Sequence, residues 1–365
     1  MDTTDSAIYF DANGVCDHCC TFDNAIAPNW NPEGDPENLS LLVEKIKRQG
    51  RGQDFDCIIG MSGGIDSSFL VYAATEIMGL RPLVFHVDAG WNSQIAVNNI
   101  ERIVDGLSLD LYTEVIDWQT VKDVQKAFFQ SGVPHIDTPQ DHVFFATMYK
   151  FAARHKVKTI LTGANFSTEC LRNPKEWMYH QSDTRQIKHI HQKFGEGSLK
   201  KFPLTSILWY KFWLPYFKGI RVEKPLNLIQ YQKDDAMRLL QSRFGWQPYP
   251  QKHFESRFTK FYESYWLPRR FGFDVRKIQY SSLILTGQMT REDALKELAK
   301  SPLTDLDIEN ELEFIAGKLE ISRQKIEEYF LQPKKTFRDY KNHELLYSIG
   351  SKISRVIGLE RGGKR

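Results

Sequence analysis

Between Asp56 and Gly163 the chain alternates continuous apolar runs with longer stretches of mixed polarity. Cys57-Ile58-Ile59-Gly60-Met61 carries no polar side chain, as expected of a strand buried on both faces. Pro82 to Asp88 repeats that pattern, and Leu109 to Ile116 and Lys158 to Thr162 predict a third and a fourth strand. Between them, helical spacing runs over Phe69 to Met78, Gln94 to Gly106, Val121 to Phe129 and Gln140 to His155. In the last of these, Phe144, Met148, Phe151 and His155 share one face. Strand and helix alternating four times predict an α/β fold with a parallel sheet.

The texture differs on either side. Tyr9 to Val15 reads as a short strand and an Asn-Gly turn leading into Cys16, Cys19 and Cys20. Leu41 to Arg48 is a short amphipathic helix. Beyond about residue 200, Ser206 to Phe217 is aromatic, Leu226 to Phe244 is helical, and Gly245 to Arg276 is dense in rings and cations. Arg291 to Ala299 and Asp305 to Leu331 predict helices with caps at Thr290 and Asp305. These changes divide the chain into a segment 1–50, an α/β domain 51–225 and a mainly helical region 226–365.

The 365 residues carry 48 Lys and Arg against 46 Asp and Glu, so the net charge of +2 offers no strong field for nucleic acid. The start, Met1-Asp2-Thr3-Thr4-Asp5, lacks the basic and apolar regions of a signal peptide. The most apolar run, Ser206 to Phe217, is interrupted by Lys211 and Pro215 and is too short to cross a bilayer. A cytoplasmic protein without membrane insertion is expected. An odd count of 5 cysteines, three of them within Cys16-Asp17-His18-Cys19-Cys20, fits metal binding better than disulfides.

The most specific pattern is Ser62-Gly63-Gly64-Ile65-Asp66-Ser67-Ser68, which follows a buried strand and opens an apolar helix. Adjacent glycines let the backbone approach an anion closely, and successive N–H groups at a helix start then hold it. Ser62, Ser67 and Ser68 add hydroxyl donors, while Asp66 suits a cation such as Mg²⁺ on bound phosphates. The loop lacks the Gly-Lys-Ser/Thr ending of a Walker A motif.

SGGIDSS resembles the SGGxDS pyrophosphate loop of the N-type ATP pyrophosphatases, the PP-loop superfamily with its HUP-like parallel sheet. That resemblance implies cleavage of ATP to AMP and pyrophosphate, with adenylation of a substrate oxygen. His86-Val87-Asp88-Ala89-Gly90 ends the second strand, where the superfamily contacts adenosine. Thr162-Gly163-Ala164-Asn165 ends the fourth, on the same edge. The nucleotide set it implies is Ser62, Gly63, Gly64, Asp66, Ser67, Ser68, His86, Asp88 and Gly163.

The stretches FDANGVCDHC, IDTPQDHVFFA, LTGANFSTECLRNP and KHFESRFTKFYESYWLPRRFGFDVRK narrow the resemblance to the N-acetyl sugar amidotransferases of the WbpG type, of lipopolysaccharide O-antigen synthesis. It extends from about Tyr9 to about Leu298, with Val275-Arg276-Lys277 standing where the family commonly has a Lys-Arg pair. The resemblance implies conversion of an acetamido group on a nucleotide-activated sugar to an acetamidino group. Adenylation of the amide oxygen makes AMP a leaving group, and ammonia displaces it. Phosphate cations are then needed from among Arg172, Lys252, Arg257, Arg269, Arg270, Arg276 and Lys277. Lys252, His253 and Arg270 are the leading candidates, the alternative being a solvated basic face. Asn165, Glu169 and Arg172 are candidates for the acceptor, although Glu169 also reads as part of a helix cap. Cys170 reads as a buried small hydrophobe.

Cys16 and Cys19 have the spacing of half a structural zinc site, with free thiols as the alternative. Residue 2 is Asp, and none of the cysteines lies in a Gly-x-Cys-x-Gly turn, so no glutaminase nucleophile is present. The resemblance implies a separate HisH-like glutaminase with a HisF-like partner, and an oligomer is compatible with the sequence. The competing reading is a tRNA-thiolating or lysidine-type enzyme of the same superfamily, favoured by the basic residues Lys334, Lys335, Arg338, Lys341, Arg361, Lys364 and Arg365.

Overall fold

The computed structural model describes residues 1–356; Arg361, Lys364 and Arg365 lie outside them. Five parallel strands form one sheet: β1 (Cys57–Gly60), β2 (Pro82–Asp88), β3 (Leu111–Val115), β4 (Thr159–Leu161) and β5 (Arg221–Glu223). Their order is β3-β2-β1-β4-β5. The α/β expectation therefore holds, with one strand added. The order reverses beside β1, so the crevice at its carboxyl end is the switch point where ligands bind in open α/β sheets.

Strand periodicity sorts the core into two layers. Ile59, Val84 and Leu161 pack against Ile46, Leu70, Ile103 and Leu240 from four helices. Those helices are Pro36–Gln49, Ile65–Tyr72, Gln94–Gly106 and Lys233–Phe244. Ile58, Phe85 and Ile160 face the other way, onto Trp118–Ser131, Thr138–Arg154 and Thr184–Phe194. The expected boundary at 225 thus falls between β5 and a helix that shares the sheet's own core.

A third cluster gathers Trp91, Phe129, Phe254, Phe258, Trp266 and Ile315, and joins the C-terminal helices to the sheet's carboxyl edge. The expected helix from Asp305 to Leu331 is two, Asp305–Leu319 and Arg323–Leu331. Glu320, at φ 54, ends the first. Its N-cap is Thr304, in a capping box with Asp307, rather than Asp305. No helix among the described residues is long and apolar enough to cross a membrane.

Candidate active site

The loop Ser62–Ser68 leaves β1 and enters the helix Ile65–Tyr72. Gly63 takes φ +84, and a Cβ there would lie 2.6 Å from the Ala96 carbonyl oxygen. The Ser62 amide donates to Ser67 Oγ at 3.3 Å, and the Gly64 amide donates to Ser62 Oγ at 3.3 Å. Ser68 Oγ is buried without a partner. The Gly63 carbonyl is held from outside the loop, by Trp246 Nε1 at 3.0 Å and Tyr249 OH at 3.2 Å. A Cβ on Gly64 would lie 1.9 Å from Glu255 Oε1, so that carboxylate sits directly over the cradle. Ser93 and Glu255 share a backbone hydrogen bond of 2.8 Å, as do Arg257 and Trp91. The basic–aromatic segment is thereby clamped onto the sheet's carboxyl edge.

Asp66 is the hub. Its Oδ1 accepts from Tyr231 OH at 2.6 Å, Asn165 Nδ2 at 3.0 Å and Thr168 Oγ1 at 3.4 Å. Its Oδ2 accepts from Lys252 Nζ at 3.1 Å, and the same ammonium lies 2.7 Å from Glu169 Oε1. Burial works against the Asp66 carboxylate, but Lys252 and the Tyr231 hydroxyl outweigh it and hold the pKa below the usual value. Lys252 is raised correspondingly, by Asp66 and Glu169 against its own burial. Gly163 makes the closeness of β4 to the loop feasible: a Cβ there would meet the Asp66 carbonyl carbon at 2.9 Å. Asn165 also caps the short helix Phe166–Glu169 through the Thr168 amide, 2.8 Å away.

Beside this hub opens a cavity of about 390 Å³, with Asn165, Glu169, Arg172, Lys224, Lys252 and His253 in its wall. Its cations outnumber its carboxylates, Glu169 and Glu263, and Glu169 is already shared with Lys252. Such a wall suits an anionic acceptor. Sequence reasoning missed Lys233: burial lowers its pKa, Lys252 lowers it further, and the charges of Asp66 and Glu255 are within reach. It missed Lys224, Tyr231, Trp246, Tyr249 and Glu255 as well, of which only Glu255 lies in a stretch that carries the resemblance.

Of the seven proposed phosphate cations, Lys252 and Arg172 line the cavity. Arg257 pairs with Glu311 at 3.0 Å, Lys277 pairs with Asp2 at 2.7 Å, and Arg276 binds Asp274 and the carbonyls of Glu297 and Lys300. Arg269 lies over the Tyr265 ring. Arg270 does not line the cavity. The residue is 4% exposed, and its guanidinium donates to the carbonyls of Tyr329, Phe330 and Gln332, which end the helix Arg323–Leu331. Burial without an anionic partner lowers its pKa to about 10. Arg270→Ala should therefore destabilise the fold by about 2–5 kcal/mol, from buried carbonyls left unsatisfied and lost packing. Thermal unfolding and turnover per folded molecule check this; a large rate loss at unchanged stability would return Arg270 to the site.

His86 is also corrected. Its Nδ1 lies 2.9 Å from the Met61 carbonyl oxygen and its Nε2 2.9 Å from Asn92 Nδ2. Both ring nitrogens are thereby taken by protein groups. Asn92 and the Gly90 amide in turn hold Asp88 Oδ1, so His86 orders the turn that presents Asp88.

The structure does not show the expected zinc site. Cys16 and Cys19 bring their sulfurs within 3.4 Å, but His18 commits Nε2 to Asp5 at 2.8 Å. Cys170 packs with Phe22 and Leu171, its thiol pushed up to about 11 by burial. Among the described residues no group of three metal-ligating side chains forms, and two thiols fall short of the four ligands of a structural zinc.

His253 meets Glu263, Nδ1 to Oε1, at 2.9 Å. Burial alone would lower the imidazolium, but Glu263 raises it to about 9 from 6.5. Burial also raises Asp141 to about 6 and Asp137 well above 3.8. Each of these groups has a folded pKa above its unfolded one. The stability each contributes is fully present below the unfolded value and is lost as pH rises through the folded value. Unfolding free energy should therefore decline as pH rises, the Asp141 part between about pH 3.8 and 6 and the His253 part between about pH 6.5 and 9. Urea unfolding across that range should show a flatter profile in Glu263→Gln; an unaltered slope would dissociate the pair from stability.

Residues 255–354 match the family model described as LPS biosynthesis protein WbpG-like, C-terminal domain. The resemblance to the WbpG type drawn from the sequence holds. No curated protein matches the chain. Among solved structures, the U34-tRNA thiolase NcsA from Methanococcus maripaludis, with its 4Fe-4S cluster, is 12% identical at a TM-score of 0.34, covering 76% of this chain and 80% of that one. The NH3-dependent NAD synthetase from Campylobacter jejuni is 13% identical at 0.30, covering 59% and 98%. NMN synthetase from Francisella tularensis is 18% identical at 0.28, covering 59% and 88%. Similarities this low carry no argument from those activities to this chain.

Proposed function

We propose that the chain is an ATP-dependent, AMP-forming amidotransferase that converts the acetamido group of a nucleotide-activated N-acetyl sugar to an acetamidino group, in O-antigen synthesis. The observation that carries this reading is the Asp66–Lys252–Glu169 cluster, which joins the anion-cradling loop to a cavity rich in cations. A phosphate on the loop and an acceptor in the cavity would then face one another across Lys252. The WbpG-like match over 255–354 includes Glu255, the carboxylate above the loop, and supports the same reading.

The acceptor's amide oxygen attacks the α-phosphorus of ATP and pyrophosphate leaves. Ammonia adds to the amide carbon, AMP departs with the former carbonyl oxygen, and a proton leaves the new nitrogen. Lys252 supplies positive charge where it develops on the phosphates, and Arg172 and Lys224 hold the acceptor's diphosphate. Glu169, within the cavity wall, would receive a proton from the incoming nitrogen. Mg²⁺, when bound, supplies further neutralisation of the phosphates. Asp66 would be its ligand through Oδ2, in exchange for the Lys252 contact, while Tyr231 and Asn165 hold Oδ1.

Ammonia is taken to come from a separate HisH-like glutaminase acting with a HisF-like partner, in the cytoplasm. The test is mass spectrometry of nucleotide N-acetyl sugars incubated with the chain, ATP, Mg²⁺ and ammonium. A product lighter by the difference between O and NH, with equimolar AMP, is expected. AMP formed only when tRNA is present would overturn the reading in favour of a tRNA-modifying enzyme.

A further inference from the structure

The helix Ile65–Tyr72 begins at Gly64, an N-cap residue with no side chain to close over the first amides. Glu255 fills that place from a distant part of the chain. A Cβ built on Gly64 would fall on Glu255 Oε1 and lie 2.8 Å from its Cδ. The carboxylate thus stands where the side chain of an N-cap aspartate would begin. A helix N-terminus favours negative charge at that point, and it is also where a phosphate on the loop has to sit.

Glu255 is held by its backbone rather than by its carboxylate. The Ser93 amide donates to its carbonyl at 2.8 Å, Asn92 and Ser256 form an antiparallel bridge beside it, and Ser256 caps the helix Arg257–Phe261. At the carboxylate, the one hydrogen bond that favours its charge comes from its own amide, and burial raises its pKa. The side chain can therefore turn while the segment that carries it stays clamped.

The nearby cations decide where it can turn. Lys252 is taken by Asp66 and Glu169, and His253 is taken by Glu263. Lys233 remains. Its ammonium is within electrostatic reach of Glu255, and no ion pair joins it to a carboxylate among the described residues.

We infer that Glu255 is a resident anion of the pyrophosphate cradle: it leaves for Lys233 when the diphosphate end of ATP arrives, and it returns to expel pyrophosphate once that product has formed. The inference rests on the reading of the loop as the pyrophosphate site. Two anions in contact over the same amides repel one another, so one must leave. Pairing with Lys233 offsets the cost of moving the carboxylate off the helix end. Its return weakens the hold on a product that the loop's amides and hydroxyls would otherwise keep.

The test is calorimetric titration of the full chain with pyrophosphate at fixed Mg²⁺. Glu255→Gln keeps the shape and removes the charge. It should bind pyrophosphate about tenfold tighter, the factor expected when the carboxylate occupies the cradle about nine-tenths of the time. Glu255→Ala should tighten binding as well, which separates loss of the charge from any hydrogen bond that glutamine makes. A side chain that only packs would weaken binding on removal or leave it unchanged. Lys233→Met should weaken binding about tenfold while Glu255 is present and hardly at all in the Glu255→Gln background, because its part is to receive the carboxylate. Unchanged or weaker binding in both Glu255 variants would overturn the inference. So would an equal loss from Lys233→Met in the two backgrounds, which would make Lys233 a direct phosphate contact. If neither the unaltered chain nor any variant bound pyrophosphate or ATP, the reading of the loop would fall and the inference with it.

Discussion

Lys252→Met should slow pyrophosphate release by about a hundred- to a thousandfold, the loss that follows removal of one preorganised charge donor from a reacting centre. The lysine is held by two carboxylates from different strands' ends, Asp66 and Glu169, and cannot relax toward solvent without breaking both contacts. Methionine keeps the packing and removes the charge. ATP affinity should fall far less, because the loop's amides and hydroxyls remain, and Asp66 keeps Tyr231, Asn165 and Thr168. Single-turnover measurement of pyrophosphate separates the two effects. Retention of the rate in Lys252→Met, together with its loss in Lys233→Met, would move the phosphate cation to Lys233. Both ammonium groups sit within electrostatic reach of Asp66, so the pair of variants decides between them.

The loop and four strands were legible because each depends on local signals, apolar runs and glycines in a fixed order. β5 was not: Arg221-Val222-Glu223 is a short edge strand with Val222 exposed, and its pairing to Thr159–Leu161 leaves no trace in its own composition. The break at Glu320 was hidden as well, since a non-glycine residue at positive φ carries no strong signal. At the site, ring and cation density pointed to a segment whose members the structure separates. Lys252 and Arg270 look alike in sequence, and what separates them is Gly163. With no side chain, it lets the fourth strand's end approach Asp66 and build one cavity wall around Lys252. Arg270 meanwhile meets three helix-end carbonyls some 60 residues further along the chain. Contacts made by Tyr231 and Lys252 over 165 and 186 residues of chain lie beyond any spacing rule.

Gly63→Ala should be the most damaging single methyl group in the loop. At φ +84 a Cβ costs roughly 1–2 kcal/mol of backbone strain. The same carbon would lie 2.6 Å from the Ala96 carbonyl oxygen and 3.0 Å from Ala96 Cα, backbone atoms of the helix Gln94–Gly106 that no rotamer change can move. Overpacking of that kind adds about 1–3 kcal/mol. The peptide cannot rotate away, because the Gly63 carbonyl accepts from both Trp246 Nε1 and Tyr249 OH. The loop must shift as a body, and with it the amides that cradle the anion. Gly64→Ala is the control. Its nearest obstacle is Glu255 Oε1 at 1.9 Å, the end of a flexible side chain that can swing aside. Gly63→Ala should therefore lower the unfolding temperature strongly and abolish detectable ATP binding, while Gly64→Ala should be milder in stability. Equal destabilisation by the two would mean that Glu255 is locked over the loop. Tight ATP binding by Gly63→Ala would show that the anion is held elsewhere than on these amides.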